Sequence, residues 1–359
     1  MNKTIGLIAA AIMVSTISCS QGPGDGGPGA NPAVFDGYLD PQGVGFQGES
    51  LNGISTQGIS TQGISTQGDE LKGFVFASFV NTNGPISNVT LQGTVFHGTD
   101  GLATPISGAG FIDAELNAVR GDDTLTPMKI VDVQTSESDS EITLYELAWH
   151  DGTSWVNPCG EENGLPIMAI PFAGRWKYAS GTPDGGDYIN DPNLFTFSCT
   201  TGTIAKCALR GYKPWKTIEE CNGQSNCQTL SLQPFHQACT RMMRADYCGN
   251  GTPHTVTGTL INMYDNFDIQ LDESTTMALE AEWTPDGAKC VKHLRWTTGG
   301  QSVIDDAQDD IDQNCPGIDD PAAQAICGTS LSTYTTTWGY SVPLNERALL
   351  RNESEPPPN

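Results

Sequence analysis

The chain predicts a β-rich α+β fold: antiparallel sandwich or barrel-like sheets, with a short disulfide-tethered helix carrying Ala245-Asp246-Tyr247-Cys248. Three observations lead there. From Gly73 onward, short apolar runs rich in β-branched and aromatic residues alternate with Asn-Gly, Asp-Gly and Ser-Gly punctuation, the pattern of strands joined by turns. Ten cysteines follow Cys19, an even number suited to a stapled fold in an oxidising compartment. A stretch beginning at Pro234 repeats apolar residues at helical spacing.

Taken in order, residues 1–18 read as a lipoprotein signal peptide. Lys3 supplies the positive start, Ile5 to Val14 the apolar run, and Thr16-Ile17-Ser18-Cys19 the cleavage site. The run falls short of the roughly 20 apolar residues that a membrane-crossing helix needs. Cys19 is then the lipidated first residue of the mature chain. At about 0.8 kcal/mol per buried methylene, its acyl chains hold a soluble polypeptide at a bilayer. The expected location is extracytoplasmic, lipid-anchored in a bacterial cell envelope with the outer membrane as first choice, and the expected partner is that membrane. An ordinary secretory peptide is the alternative.

Residues 19–42 are expected to form a flexible tether, because the Gly/Pro-rich stretch 20–34 has hardly an apolar side chain to offset its own ordering entropy. Residues 43–73 carry glycine at every fifth position, with ISTQG three times from Ile54. Such a period can wind a small β-solenoid. Thr56, Thr61 and Thr66 stand where a packed coil wants leucine or phenylalanine, so a polar linker competes with a short ordered coil. Two G-x-G-x-x-G matches, Gly22-Gly24-Gly27 and Gly43-Gly45-Gly48, neither follow a strand nor open a helix; no cofactor is expected.

The N-terminal β region, 74–175, offers strands over Phe74–Val80, Val89–Phe96, Ile106–Phe111, Met128–Val133, Ile142–Trp149 and Ile167–Phe172, and no helix of convincing length. Imperfect alternation in Ile142–Trp149 suggests a strand covered on both faces. The formal net charge of −25 argues against binding nucleic acid or anionic lipid through a basic surface.

Residues 176–344 are the cysteine-rich region. Cys199, Cys207, Cys221, Cys227, Cys239 and Cys248 crowd together, flanked by Cys159 before and by Cys290, Cys315 and Cys327 after. No C-x-x-C occurs, which argues against a zinc ribbon, a thioredoxin-like site or covalent haem. All ten are read as disulfide partners. In the helix from Pro234, Phe235, Ala238, Met242 and Ala245 share a face, Arg241 and Arg244 lie on another, and Gly249 or Gly251 supplies the stop. Cys239 and Cys248 stand about 13 Å apart along such a helix, too far for one bridge, so each ties it to a different partner.

Ala245-Asp246-Tyr247-Cys248 resembles the signature of the bacterial ADYC domain family. Phe195–Cys199, Ala205–Cys207, Gly211–Trp215, Gly258–Ile261, Trp283 and Asp286–Cys290 are similar to it as well, over about a hundred residues from 195 to 296, with weaker likeness back toward Gly73. A lipoprotein-type signal is in keeping with such proteins. The resemblance implies a domain of unknown function, and no catalytic residue is carried over from it.

His236, one turn before Cys239, could activate a thiolate, but an even cysteine count speaks against a free thiol. Asp246 and Tyr247 are expected to hold the helix end with Arg241 or Arg244. Strands are read over Val256–Met263, Met277–Trp283 and Cys290–Trp296, the last with Lys289, Lys292 and Arg295 at three-residue steps. Asp305 to Asn314 reads as a solvated helix face, since Cys315 stands near where an EF-hand needs its glycine and no closing glutamate follows; a looser calcium site is the minor alternative. The tail 345–359 is expected to be mobile. The expected function is a binding or structural module on a cell-envelope lipoprotein, with an unknown envelope ligand; the alternative is a secreted hydrolase of polysaccharide or peptide with unidentified paired carboxylates.

Overall fold

Six antiparallel strands close on themselves. The computed structural model describes residues 65–66, 69–150, 153–177, 180–221, 227–256, 259–272, 276–329 and 347–358; the signal 1–18, Cys19, the tether and most of the repeat lie outside them. Strands β1 (Asp69–Val75), β2 (Glu115–Arg120), β3 (Leu125–Thr135), β4 (Thr143–His150), β5 (Ala169–Ala173) and β6 (Leu194–Cys199) pair in the order β1-β6-β5-β4-β3-β2, and β2 pairs back to β1. Of the two β architectures expected, the barrel is the one formed. Closure removes the edges that an open sheet would expose.

The barrel is filled by its own side chains. Phe74, Phe96, Tyr145, Phe195 and Phe197 are buried, with ring centroids 5.0–5.8 Å apart in mostly edge-on contacts. Phe96 arrives from a three-stranded flap, Ser87–Gln92, Val95–Thr99 and Pro105–Ser107, that packs onto the same core. The expected strand Val89–Phe96 is therefore a hairpin turning at Gly93 (φ 60°). Phe74–Val80 also breaks: after Val75 the chain makes a 3-10 turn, where the Ser78 hydroxyl donates to the Val75 carbonyl (2.7 Å) and accepts the Asn117 amide (2.8 Å). Ile106–Phe111 is a short strand followed by another 3-10 turn. Strand β2 escaped prediction because only Leu116 and Ala118 mark its inner face.

Strands β4, β5 and β6 are covered on both sides. Tyr145, Leu147, Phe195 and Phe197 face the barrel, while Ile142, Ile170 and Phe172 pack outward with Trp176 and helix α1 (Thr203–Leu209). That second layer explains the imperfect alternation of Ile142–Trp149. The expected boundary at 175/176 does not divide the fold, because β6, from the cysteine-rich side, completes the barrel.

Beyond α1 lies helix α2 (Gln233–Arg244), every residue of which from Phe235 onward is buried. Its far side packs on a four-stranded sheet made by β7 (Ile261–Asp265), β8 (Ala278–Thr284), β9 (Gly287–Val291) and β10 (Leu350–Ser354), in the order β7-β10-β8-β9. Strand β10 corrects the expected mobile tail. It pairs on both sides and buries Leu350, Asn352 and Ser354, so residues 347–354 are an interior part of the fold, while Glu355, Pro356 and Pro358 beyond them are exposed. The expected strand Cys290–Trp296 ends at Val291; its actual start is Gly287. Helix α3 (Gln301–Asn314), the acidic segment, buries Ala307 and Ile311, and α4 (Pro321–Ile326) follows.

Five disulfides join Cys159–Cys199, Cys207–Cys239, Cys221–Cys227, Cys248–Cys315 and Cys290–Cys327. They tie the barrel wall, α1 to α2, a β-hairpin, the end of the motif to α3, and β9 to the end of α4.

Candidate functional site

The Ala-Asp-Tyr-Cys segment does not ride on a helix; it is the turn by which α2 ends. Ala245 adopts the left-handed conformation (φ 51°, ψ 40°), its N–H donates to the Met242 carbonyl, and the Asp246 N–H to the Arg241 carbonyl. The expected glycine stop is thus taken by an alanine, a conformation rare for a residue with a Cβ and held here by burial on every side. Gly249 instead allows close approach: a Cβ there would lie 1.9 Å from the Asp286 carbonyl oxygen.

Each of the next three residues reaches a different part of the core. Asp246, fully buried, accepts Arg241 Nη1 at 2.6 Å and the N–H groups of Asn250 (3.1 Å) and Gly251 (3.0 Å). Arg241 also donates to the carbonyls of Gly185 (2.6 Å) and Pro285 (3.1 Å) and to Asp187. Tyr247 donates to Glu280 Oε1 (3.2 Å), accepts the Arg295 N–H (3.0 Å), and lays its ring against Trp283 at 5.4 Å. Cys248 closes the disulfide to Cys315 at the end of α3.

Arg295 is the centre of this network. Nε and Nη2 grip the Glu280 carboxylate at 2.9 Å each, and the remaining donors reach Met242 O, Met243 O and Thr255 Oγ1. Two of its partners are carbonyls in the last turn of α2, that of Met242 accepting the Ala245 N–H as well, and a cation there is also favoured by the helix dipole. Glu280 sits where the β8–β10 register slips between Leu279 and Ala281, so a bulge aims it. Burial opposes its charge, but Arg295 prevails and holds the carboxyl below its ordinary range; burial and the Glu280 charge push the Tyr247 hydroxyl well above its own. A charged pair and a neutral phenol, all enclosed, are a brace and not an acid-base device.

The other sequence candidates resolve individually. Asp246 does meet Arg241, whereas Tyr247 meets Glu280 and Arg295; the latter pair was hidden because Arg295 read as one of three spaced strand cations. Two glutamates, Glu280 and Glu282, inside the apolar run Ala278–Thr284 were the available signal. Cys239 is bonded to Cys207, and His236 turns Nε2 to the Ile204 carbonyl (2.9 Å), so no thiolate nucleophile stands there. Glu282, Cys290 and Cys327 gather close enough to suggest a metal, but the sulfurs are bonded to each other and the carboxylate accepts Arg351 (2.9 Å) and the Gly328 N–H (3.0 Å). The donor set does not fit an ion, which needs free thiolates. On α3, Asp310 accepts His254 (3.0 Å), Asn250 (2.8 Å) and Asn314 (2.7 Å). Cys19 lies outside the described residues.

Two shallow grooves of about 230 and 200 Å³ open beside this region, lined in part by His293 and Gln308 and by Trp296 and Thr297. Both are smaller than usual ligand pockets. Their polar groups face inward as well: the His293 nitrogens lie 3.0 and 3.1 Å from the Leu294 and Ala278 carbonyls, and Thr297 Oγ1 accepts the Gly299 N–H at 3.1 Å.

A family model for the ADYC domain matches residues 108–297, more than half of the sequence. No curated protein and no solved structure matches the chain. The matched span omits β1, which closes the barrel, and β10, which lies inside the second sheet. The chain belongs to the ADYC domain family.

Proposed function

We propose that this ADYC domain protein is a lipoprotein of the bacterial cell envelope, exported by residues 1–18 and anchored by acyl chains on Cys19. Its barrel-and-sheet domain then serves outside the cytosol as a binding or structural module. The observation that carries the reading is cysteine bookkeeping: the chain has eleven, ten are paired within the described fold, and the odd one is Cys19 in its lipoprotein-like context. Five disulfides are favoured in an oxidising compartment. A filled barrel and a polar network already satisfied by its own partners support a rigid scaffold over a small-molecule enzyme.

The test is mass spectrometry of the mature protein expressed in a bacterial host. A first residue of Cys19 bearing a diacylglycerol mass, and release into the soluble fraction by Cys19→Ser, is the expected result. An unmodified N-terminus at any other residue overturns the anchor.

A further inference from the structure

Four of the disulfides are shielded and one is displayed. Cys159, Cys199, Cys207, Cys239, Cys290 and Cys327 are buried, and Cys248 and Cys315 are partly so. Cys221 and Cys227 are both exposed. They face each other at the end of a two-stranded hairpin, Thr217–Cys221 with Cys227–Ser231, where the chain passes from one strand to the other, as the last register pair. Thiol–disulfide exchange needs a thiolate to approach one sulfur along the S–S axis, so exposure decides which bond a partner can attack.

The hairpin does not depend on that bond. Its register continues through Glu220–Gln228, Glu219–Thr229, Ile218–Leu230 and Thr217–Ser231. Leu230 is buried, Ile218 packs on the core beneath α2, and buried Glu220 binds Arg347 (2.9 Å) at the start of the C-terminal strand segment and Gln228 Nε2 (3.1 Å) across the hairpin. The other four bonds join segments 32 to 67 residues apart, against 6 here. Opening Cys221–Cys227 therefore leaves the fold in place and presents two thiols on a fixed scaffold.

We propose that Cys221–Cys227 is a site of thiol–disulfide exchange with an external dithiol, and that the remaining four disulfides are structural. A thiolate of the partner attacks one sulfur of the pair; a mixed disulfide forms, the Cys221–Cys227 bond breaks, and the departing thiolate takes a proton from water. The partner's second thiol then attacks the mixed disulfide and releases the other cysteine. The protein gains two electrons and two protons as the partner dithiol becomes a disulfide. In reverse, the reduced pair passes two electrons to an oxidised partner.

The experiment uses the full-length oxidised protein under native conditions, with dithiothreitol as the dithiol probe. Timed alkylation and peptide mass spectrometry read each cysteine. Cys221 and Cys227 are expected to be labelled together, at least about tenfold faster than any of the other eight, with the near-UV circular dichroism unchanged. The double variant Cys221→Ser/Cys227→Ser is expected to fold and to lack the fast phase. Labelling of another pair at a comparable rate, or labelling of Cys221 and Cys227 only as the dichroism is lost, overturns the proposal.

Discussion

Acidification from pH 7.5 to 5 should destabilise the domain through one residue, His236. Its ring is fully buried between Phe172 and Trp176, with centroids 5.5 and 5.6 Å away, and its Nε2–H donates to the Ile204 carbonyl. Nδ1 has no hydrogen-bond partner, so a second proton would enter an apolar site. Burial accordingly lowers the pKa from 6.5 to about 4. Because the folded value lies below the unfolded one, the unfolded chain takes up a proton first. Stability is intact above about pH 7 and declines as the pH falls from 6.5 toward 4. One-proton linkage with those two values gives a loss of about 2 kcal/mol between pH 7.5 and 5. Urea denaturation of the disulfide-intact protein, followed by tryptophan fluorescence, measures it. His236→Phe keeps a ring in place but cannot titrate, so the wild type should lose about 2 kcal/mol more than the variant over this interval. Parallel decline of the two proteins would refute the reasoning.

Three further outcomes follow from the same geometry. Tyr247→Phe leaves Glu280 and the Arg295 N–H each short of a buried partner, and should cost about 1–3 kcal/mol in denaturation midpoint experiments. Arg295→Met removes the charge that holds Glu280 and the donors that cap α2; a loss of about 3–5 kcal/mol is expected, and combining it with Glu280→Gln should recover part of it, as a double-mutant cycle would show. Deleting residues 347–359 withdraws the strand lying between β7 and β8, so the truncated protein should lose its cooperative thermal transition, whereas a dispensable tail would leave it unchanged.

Much of the fold was written locally. Apolar runs punctuated by turn residues marked three of the six barrel strands, β3, β4 and β5, and the last two residues of β1, since alternation and β-branched content are properties of a few consecutive residues. Helix α2 was readable from Pro234 and the spacing of Phe235, Ala238 and Met242. Its end was not, because Ala245 has no local reason to turn left-handed; the Asp286–Gly287 turn, Arg295 and Asp246 hold it there. The C-terminal strand was missed for a similar reason. Leu-Arg-Asn-Glu-Ser looks like a polar tail until two other strands offer it hydrogen bonds on both sides.

By itself, then, the sequence determined the strand-rich character, the even set of ten sulfurs and the motif that marks the family. Only the tertiary structure decided that the sheets close into a barrel, which sulfurs meet, and that Arg295, distant in sequence, holds Glu280 beneath Tyr247. The physical reason is range: propensity and patterning act over neighbouring residues, while closure, sulfur pairing and buried charge depend on segments tens of residues apart reaching one place.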